Sequence, residues 1–165
     1  MTATPIETHV LPRNGDIPNS ELPLVLYRNI LADPSGDLAR AFEDRFRLNG
    51  WTGSWRNGIL AFHHFHAGAH EVLGVAAGRA SVQFGGEGGV VAEVAAGDAV
   101  VIPAGVGHKC LERDVDFLVV GAYPPGQDPG ITREGEPGPR EAGADRPPSD
   151  PIFGPDGPLV SAWTA

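Results

Sequence analysis

Four side chains of the types that bind metal ions stand in two short stretches of the sequence. His64 and His66 are two residues apart, and Glu71 follows them after a short turn. Successive side chains of a β-strand point to opposite faces, so His64 and His66 share one face if this stretch is a strand. A return strand that begins at Glu71 would bring its carboxylate beside the two imidazoles. His108 comes later, after a Pro-x-Gly bend that can turn it towards the same place.

This set of donor groups favours a metal site. We predict one divalent transition metal held by three histidines and one glutamate, namely His64, His66, Glu71 and His108. Imidazole nitrogens with one carboxylate oxygen suit Fe(II), Mn(II), Ni(II), Co(II), Cu(II) or Zn(II), and the donors alone do not choose among these ions. Four protein ligands on an octahedral ion leave two positions open, which is enough for a bidentate small molecule or for a ligand beside dioxygen.

Neighbouring side chains leave alternatives open. His70 could replace Glu71 as a ligand if the turn extends to it, whereas a strand that has already begun would point it away. Cys110 could share the face of His108, but a reduced thiol in the core is the commoner outcome, so we leave it off the ligand set. His63 should face outward from the strand. No separate general base is evident in the sequence.

The spacing of the two stretches resembles the two motifs of the cupin superfamily, which is also called RmlC-like. The first motif is matched at Gly58, His64, His66, Glu71 and Gly78, and the second at Gly97, Pro103, Gly105 and His108. One position departs, because Glu112 stands where the second motif often has Asn, and this changes the charge near the end of the barrel. The resemblance implies an all-β fold, the cupin double-stranded β-helix or jelly-roll barrel, with a metal inside it.

Most of the chain is similar to the small YjlB-like bacterial cupins, a group of unassigned function. The similarity rests on the Trp-x-x-x-Trp-Arg-Asn-Gly sequence that precedes the first motif, on Phe-His-His-Phe-His, on Tyr-Pro-Pro-Gly-Gln after the last strand, and on the end of the chain. Small cupins are commonly dimers, so the resemblance also implies a homodimer.

Composition and apolar patterning indicate the elements that position these residues. The chain has 165 residues with 41% apolar side chains, 23 Gly and 16 Pro, which favours many short strands joined by turns in one domain. About eight apolar β-prone runs predict a closed antiparallel barrel. A wall of apolar side chains should surround the ion, from Leu60, Phe62, Leu73, Val75, Val100 and Ile102.

We divide the chain into three segments. Residues 1–57 should form an extended arm over 1–20, a strand over 24–31, and an amphipathic helix that packs on the barrel. Residues 58–123 are the barrel core. Residues 124–165 are a Pro/Gly-rich tail.

The borders of the helix and the course of the tail follow from local signals. Asp33 and Pro34 mark the start of the helix, and Asn49-Gly50 marks its end. Residues 127–150 have few apolar side chains and should form no packed element. We expect Phe153 and Trp163 to dock the end of the tail onto the barrel or onto a neighbouring subunit.

The charge of the chain and the absence of targeting signals argue against nucleic acid and membranes as partners. The net charge is −9 without a Lys or Arg cluster, which argues against nucleic acid and against anionic membranes. No apolar run approaches the ~20 residues that span a bilayer, and the amino terminus lacks the features of a secretory signal. With one cysteine the chain cannot form an internal disulfide, so we predict a cytoplasmic protein. The partner that we expect is a small molecule.

The predicted function is a metal-dependent enzyme for a small oxygen-bearing metabolite, with dioxygenase-type or isomerase-type chemistry. Trp55 and Arg56 could line the mouth of its pocket, although a tryptophan near the end of a helix is more often plain packing. The alternative is a non-catalytic binding or storage cupin whose metal holds the ligand. In a third interpretation the metal only stiffens the barrel. The fold does not choose among these functions.

Overall fold

Two antiparallel sheets form the body of the protein in a computed structural model, which describes residues 6–33 and 35–164. The strands are β1 (Ile6–Leu11), β2 (Ser20–Tyr27), β3 (Thr52–Asn57), β4 (His64–Gly68), β5 (Glu71–Ala77), β6 (Arg79–Phe84), β7 (Val90–Ala95), β8 (Ala99–Ile102), β9 (His108–Arg113), β10 (Leu118–Tyr123) and β11 (Asp128–Arg133), and the helices are α1 (Leu38–Leu48) and α2 (Pro158–Ala162).

The order of the strands is that of a double-stranded β-helix. One sheet has six strands in the order β1-β2-β8-β5-β10-β3, and the other has five in the order β11-β4-β9-β6-β7. Consecutive strands β4 and β5 lie in different sheets, as do β8 and β9, so the chain passes from sheet to sheet at both predicted motifs. The predicted all-β cupin fold is confirmed.

Two apolar cores result from the alternation of side chains along the strands of the larger sheet. In β5, Leu73 and Val75 point between the two sheets, whereas Val72 points to the other side, where α1 packs. Phe42 and Phe46 of α1 are fully buried against this outer face. A Cβ on Gly74 would come 2.5 Å from the ring of Phe42, so the close approach of α1 requires glycine there.

The helix begins later than the sequence predicted. Asp37 caps α1 by accepting a hydrogen bond from the backbone N–H of Arg40 at 3.1 Å. Asp33 instead accepts bonds from the N–H and hydroxyl of Ser35, and so forms a local turn ahead of the helix. The prediction for Pro34 lies outside the described residues. Asn49 forms the C-terminal cap of α1.

Strands from all three predicted segments join the two sheets. The expected arm includes β1, which pairs with β2, and the stretch before the first motif forms β3, which pairs with β10. The prediction that residues 127–150 contain no packed element is wrong, because β11 pairs with β4. This strand contains Pro129, and it tolerates proline because it lies at the edge of its sheet.

The end of the chain packs on the outer face of the larger sheet. Trp163 is 3% exposed, and its indole N–H donates to the carbonyl of Pro23 at 2.8 Å. Asp150 is fully buried and accepts a hydrogen bond from the hydroxyl of Tyr27 at 2.7 Å. The ring of Phe153 lies 6.2 Å from that of Tyr27 but stays 40% exposed. Over residues 6–33 and 35–164, neither helix has the length and apolar character needed to cross a membrane.

Candidate metal centre

Three histidines converge on one point between the sheets. His64 and His66 lie on β4, and His108 begins the neighbouring strand β9, where it pairs directly with His64. One ring nitrogen from each histidine lies within 4.8 Å of the other two, and all three side chains are buried. The three residues are therefore placed to bind a metal ion.

Backbone carbonyls orient all three imidazoles in the same way. The Nδ1 atoms of His64, His66 and His108 lie 2.9, 2.8 and 3.1 Å from the carbonyl oxygens of Phe62, Pro129 and Val106, respectively. A carbonyl only accepts hydrogen bonds, so each Nδ1 must carry the proton, and each Nε2 then presents a lone pair. A second partner that fixes the tautomer in this way is typical of metal-binding histidines.

Glu71 comes from the opposite sheet and lies beside two of the three histidines, His66 and His108. It is the first residue of β5 and is 2% exposed. Its Oε2 lies 3.3 Å from Nε2 of His66, and its Oε1 lies 3.5 Å from Nε2 of His108. In the tautomer set by the carbonyls neither Nε2 can donate to the carboxylate, and Oε2 has no hydrogen-bond partner among the described residues. Buried lone pairs that face one another without a proton fit a bound cation.

The electrostatics of the cluster keep its carboxylate ionised and one of its imidazoles neutral. Burial, and then the neighbouring His108, lowers the pKa of His64 to about 3, so this imidazole is neutral at physiological pH. Burial alone would raise the pKa of Glu71, but His108 and His66 outweigh it and lower that pKa. Burial would also lower the pKa of His66, but Glu71 raises it. The carboxylate is therefore ionised beside a neutral His64, and a bound cation would take the place of the proton that the metal-free centre favours on His66.

A cavity of about 480 Å³ opens above the cluster, and we call it the site cavity. Besides His64, His66, Glu71 and His108, the site cavity is lined by Trp55, Asn57, Gly58, Ile59, Leu60, Leu73, Arg113, Phe117, Tyr123, Pro129 and Ile131. Of the predicted apolar wall, Leu60 and Leu73 line it. Phe62 instead lies under the guanidinium of Arg133, and the other three predicted residues belong to the core between the sheets.

Two aromatic side chains of the site cavity form a fixed pair. The indole N–H of Trp55 donates to the hydroxyl of Tyr123 at 2.7 Å. The indole lies against the backbone of Gly121, where any Cβ would collide with it. Burial, and then Glu71, raises the pKa of Tyr123, so the phenol keeps its proton and can donate it to an acceptor in the cavity.

The sequence analysis missed Tyr123 as a site residue. The alternation of side chains along β10 could have indicated which face Tyr123 occupies. Its pairing with Trp55 could not be foreseen, because Trp55 lies on β3, 68 residues away in sequence. Trp55 lines the site cavity, whereas Arg56 does not. The guanidinium of Arg56 pairs with Glu43 of α1, with N–O distances of 2.7 and 2.9 Å.

The other neighbouring candidates lie outside the cluster. His70 accepts from the N–H of Ala104 through Nδ1 and donates to the carbonyl of Ala144 through Nε2, so both ring nitrogens are already engaged. Cys110 is a buried free thiol whose pKa burial raises. The prediction that His63 faces outward is wrong in one respect: the ring is only 7% exposed, and its Nε2 lies 3.6 Å from Oε2 of Glu87.

Comparison with known proteins gives one relative over nearly the whole chain. The chain matches none of the protein-family models against which it was compared. It is 42% identical over 164 residues to the uncharacterized protein YjlB of Bacillus subtilis (strain 168), and the alignment covers 95% of this chain and 96% of YjlB.

Solved structures with a similar arrangement are more distant. An uncharacterized conserved protein with a double-stranded β-helix domain from Klebsiella pneumoniae aligns with a TM-score of 0.38 and 22% identity, over 50% of this chain and 72% of that one. A DUF861 family protein from Thermotoga maritima aligns with a TM-score of 0.35 and 20% identity, over 61% and 96%. Acireductone dioxygenase from Bacillus anthracis, with a cadmium ion in its active centre, aligns with a TM-score of 0.38 and 16% identity, over 52% and 58%.

Proposed function

The chain belongs to the family of the cupin YjlB, and from this premise we propose that it is a metal-dependent enzyme acting on a small oxygen-bearing metabolite. His64, His66, Glu71 and His108 would hold one divalent transition metal. The observation that carries the proposal is the orientation of the three imidazoles, since every Nδ1 is engaged by a carbonyl, while the Nε2 atoms of His66 and His108 face the buried Glu71 carboxylate.

The bound ion would supply a Lewis acid or a place where dioxygen is activated. The side chains of the site cavity would do the rest. Leu60, Leu73 and Phe117 would exclude water from one side of the substrate, which strengthens every electrostatic interaction there. The hydroxyl of Tyr123, held by Trp55, would donate a hydrogen bond to an oxygen of the substrate.

A non-catalytic binding or storage protein is the second candidate, and the lining of the site cavity favours it in one respect. Among the described lining residues, the ionisable side chains beyond the four predicted ligands are Arg113 and Tyr123. Neither is a base at neutral pH. A reaction that needs a separate general base is therefore disfavoured, whereas redox chemistry at the ion is not.

Metal content tests the first part of the proposal. Protein purified without added metal should contain one transition metal per chain by elemental analysis, with anomalous scattering between His66 and Glu71. The variant His66→Gln should lose the metal, and the matched variant His9→Gln, at a surface histidine, should keep it. Wild-type protein that binds no divalent ion after incubation with each candidate metal would overturn the proposal.

Turnover separates the two functions. The metal-loaded protein is incubated in air with a panel of small hydroxy acids, keto acids and enediols, while dioxygen uptake and product formation are followed. An enzyme consumes at least one compound, whereas a binding protein shifts its melting temperature with a compound that stays intact. If a chelator lowers the melting temperature and no compound shifts it, the metal has a structural role only.

We also propose that the protein is a homodimer in the cytoplasm, as small cupins commonly are. Light scattering coupled to size-exclusion chromatography measures the mass directly. A mass near 17.3 kDa, that of one chain, would contradict the dimer.

A further inference from the structure

A β-bulge interrupts the pairing of β9 beside the metal centre. Val82 of β6 pairs with Cys110, and the preceding residue Ser81 pairs with Glu112. One step along β6 thus corresponds to two steps along β9, so Leu111 is an extra residue without a partner in the ladder. A bulge of this kind changes which face of the sheet the following side chains occupy, and such bulges often re-aim a side chain beside an active site.

The bulge places an arginine, in place of a glutamate, on the open side of the site cavity. His108 and Cys110 point inward, and in a regular strand Glu112 would be the next inward side chain. With Leu111 inserted, Glu112 pairs with Ser81, and Arg113, which is itself exposed, pairs with the buried Ala80. Arg113 accordingly lines the site cavity together with the predicted metal ligands.

The guanidinium of Arg113 retains most of its hydrogen-bonding capacity. Some arginines of the chain are engaged by carboxylates, such as Arg28 by Glu7 at 3.0 Å and Arg56 by Glu43. Within the part of the chain that the structure describes, the guanidinium of Arg113 forms no ion pair, and its one hydrogen bond is to the carbonyl of Asp114 at 3.3 Å. A planar guanidinium can bind both oxygens of a carboxylate at once.

The charge of the site cavity differs from that of the whole protein. The chain has a net charge of −9, but a divalent ion and Arg113 together exceed the single negative charge of Glu71. A cavity of positive potential attracts small anions even when the rest of the surface repels them. The apolar side chains around it would strengthen this attraction, because they keep the local dielectric constant low.

We propose that Arg113 is a specificity-determining residue that binds a carboxylate of the substrate, so that the substrate is a small metabolite with a metal-binding oxygen at one end and a carboxylate at the other. This inference rests on the proposed function, because it requires the ion at the three histidines and Glu71. It goes further in that it names the class of substrate and the residue that selects it.

A pair of matched probes tests the inference. L-Malate and 2-hydroxybutyrate have the same hydroxy-acid end, and only malate carries a second carboxylate. Their affinities for the cobalt-loaded protein are measured by titration of the visible absorption of Co(II). Wild-type protein should prefer malate by about tenfold or more, and Arg113→Gln should reduce the preference to about twofold or less. Arg113→Lys, which keeps the charge but loses the planar fork, should fall between them.

Arg79→Gln is the matched control, because it removes the charge of an exposed arginine on the adjacent strand outside the site cavity. It should keep the wild-type preference. Cobalt stoichiometry is measured on every variant, so the two failures are distinguishable. If wild-type protein binds no cobalt, the proposed function fails and this inference fails with it. If cobalt binds and malate is not preferred, or Arg113→Gln keeps the preference, only the assignment of Arg113 is overturned.

Discussion

Glu71 and His66 face each other from opposite sheets, with 3.3 Å between Oε2 of the glutamate and Nε2 of the histidine. The residues are five positions apart in sequence, yet the short connection between β4 and β5 places them on different layers of the fold. A cation between them would bind the two sheets to each other. Metal binding and the stability of the barrel are therefore coupled.

Replacement of the carboxylate should weaken metal binding most clearly. Glu71→Gln keeps the shape of the side chain but removes the negative charge that faces His66 and His108, and we expect metal affinity to fall about 100-fold or more. Competition with a chromophoric chelator measures this. Glu112→Gln removes an exposed carboxylate from β9 and should leave the affinity unchanged. Equal affinities for Glu71→Gln and the wild type would remove Glu71 from the ligand set.

His70 should show the opposite behaviour to Glu71. Both of its ring nitrogens form hydrogen bonds with the backbone, at Ala104 and Ala144, and its ring lies 4.6 Å from that of Trp163. His70→Gln should therefore lower the free energy of unfolding by about 1–3 kcal/mol, while the metal stoichiometry stays at the wild-type value. Urea unfolding and elemental analysis of the same preparation check both expectations. Loss of the metal with unchanged stability would instead make His70 a ligand.

The hydroxyl of Tyr123 should support the centre without binding the ion. Tyr123→Phe removes a proton donor beside Glu71 and leaves the indole N–H of Trp55 without its acceptor. We expect metal affinity to fall about tenfold, which is the usual scale for groups that orient metal ligands. The affinity is measured as for Glu71→Gln, and the melting temperature of the metal-free variant controls for misfolding. A loss as large as that of Glu71→Gln would assign Tyr123 to the ligands themselves.

The local part of the site could be predicted from the sequence because short-range geometry determines it. Alternation along a strand places His64 and His66 on one face, and the Pro-x-Gly bend precedes His108. Leu60 and Phe62, which the sequence analysis placed in the apolar wall, lie ahead of this strand. Residues 58–63 form a loop, and the carbonyl of Phe62 in that loop is the partner of Nδ1 of His64. Phe62 consequently leaves the apolar wall.

Features that depend on a partner strand were not visible in the sequence. The bulge at Leu111 is defined only by the register of β9 against β6. The sequence of β9 alone therefore does not reveal that Arg113, and not Glu112, points to the same face as His108 and Cys110. Strand β11 was missed because its composition resembles a loop. It forms through its pairing with β4, and there the carbonyl of Pro129 orients His66.

Stability of the metal-free protein should fall with acid below about pH 6.5. The fold keeps His64 neutral, with a pKa of about 3, whereas the unfolded chain protonates it near its ordinary pKa of about 6.5. Because the depressed pKa belongs to the folded state, its stabilising effect is complete above about pH 6.5 and is lost as the pH falls towards 3. His66 has a raised pKa, so its contribution is complete below about pH 6.5 and does not alter this slope.

Urea unfolding of chelator-treated protein at two pH values measures this loss. Between about pH 6.5 and about pH 5 the free energy of unfolding should fall by about 2 kcal/mol at most, since one pKa unit corresponds to about 1.4 kcal/mol. His64→Gln should abolish most of this dependence, and His9→Gln should keep it. The same slope in His64→Gln and in the wild type would show that another group is responsible.

Attachment of the tail should depend on one buried carboxylate. Asp150 accepts four hydrogen bonds, from the hydroxyl of Tyr27 and from the backbone N–H groups of Ile152, Phe153 and Leu159, at 2.7 to 3.0 Å. Asp150→Ala leaves all four donors unpaired and should lower the free energy of unfolding by about 3–5 kcal/mol, whereas Tyr27→Phe removes one donor and should cost about 1–2 kcal/mol. The exposed control Asp156→Ala should stay within about 0.5 kcal/mol of the wild type. Limited proteolysis should cut the Asp150→Ala variant within the tail first, because the residues that follow Asp150 lose their attachment to β2. If Asp150→Ala were only as destabilising as Tyr27→Phe, the backbone N–H groups would have found other acceptors. The carboxylate would then not be what holds the tail.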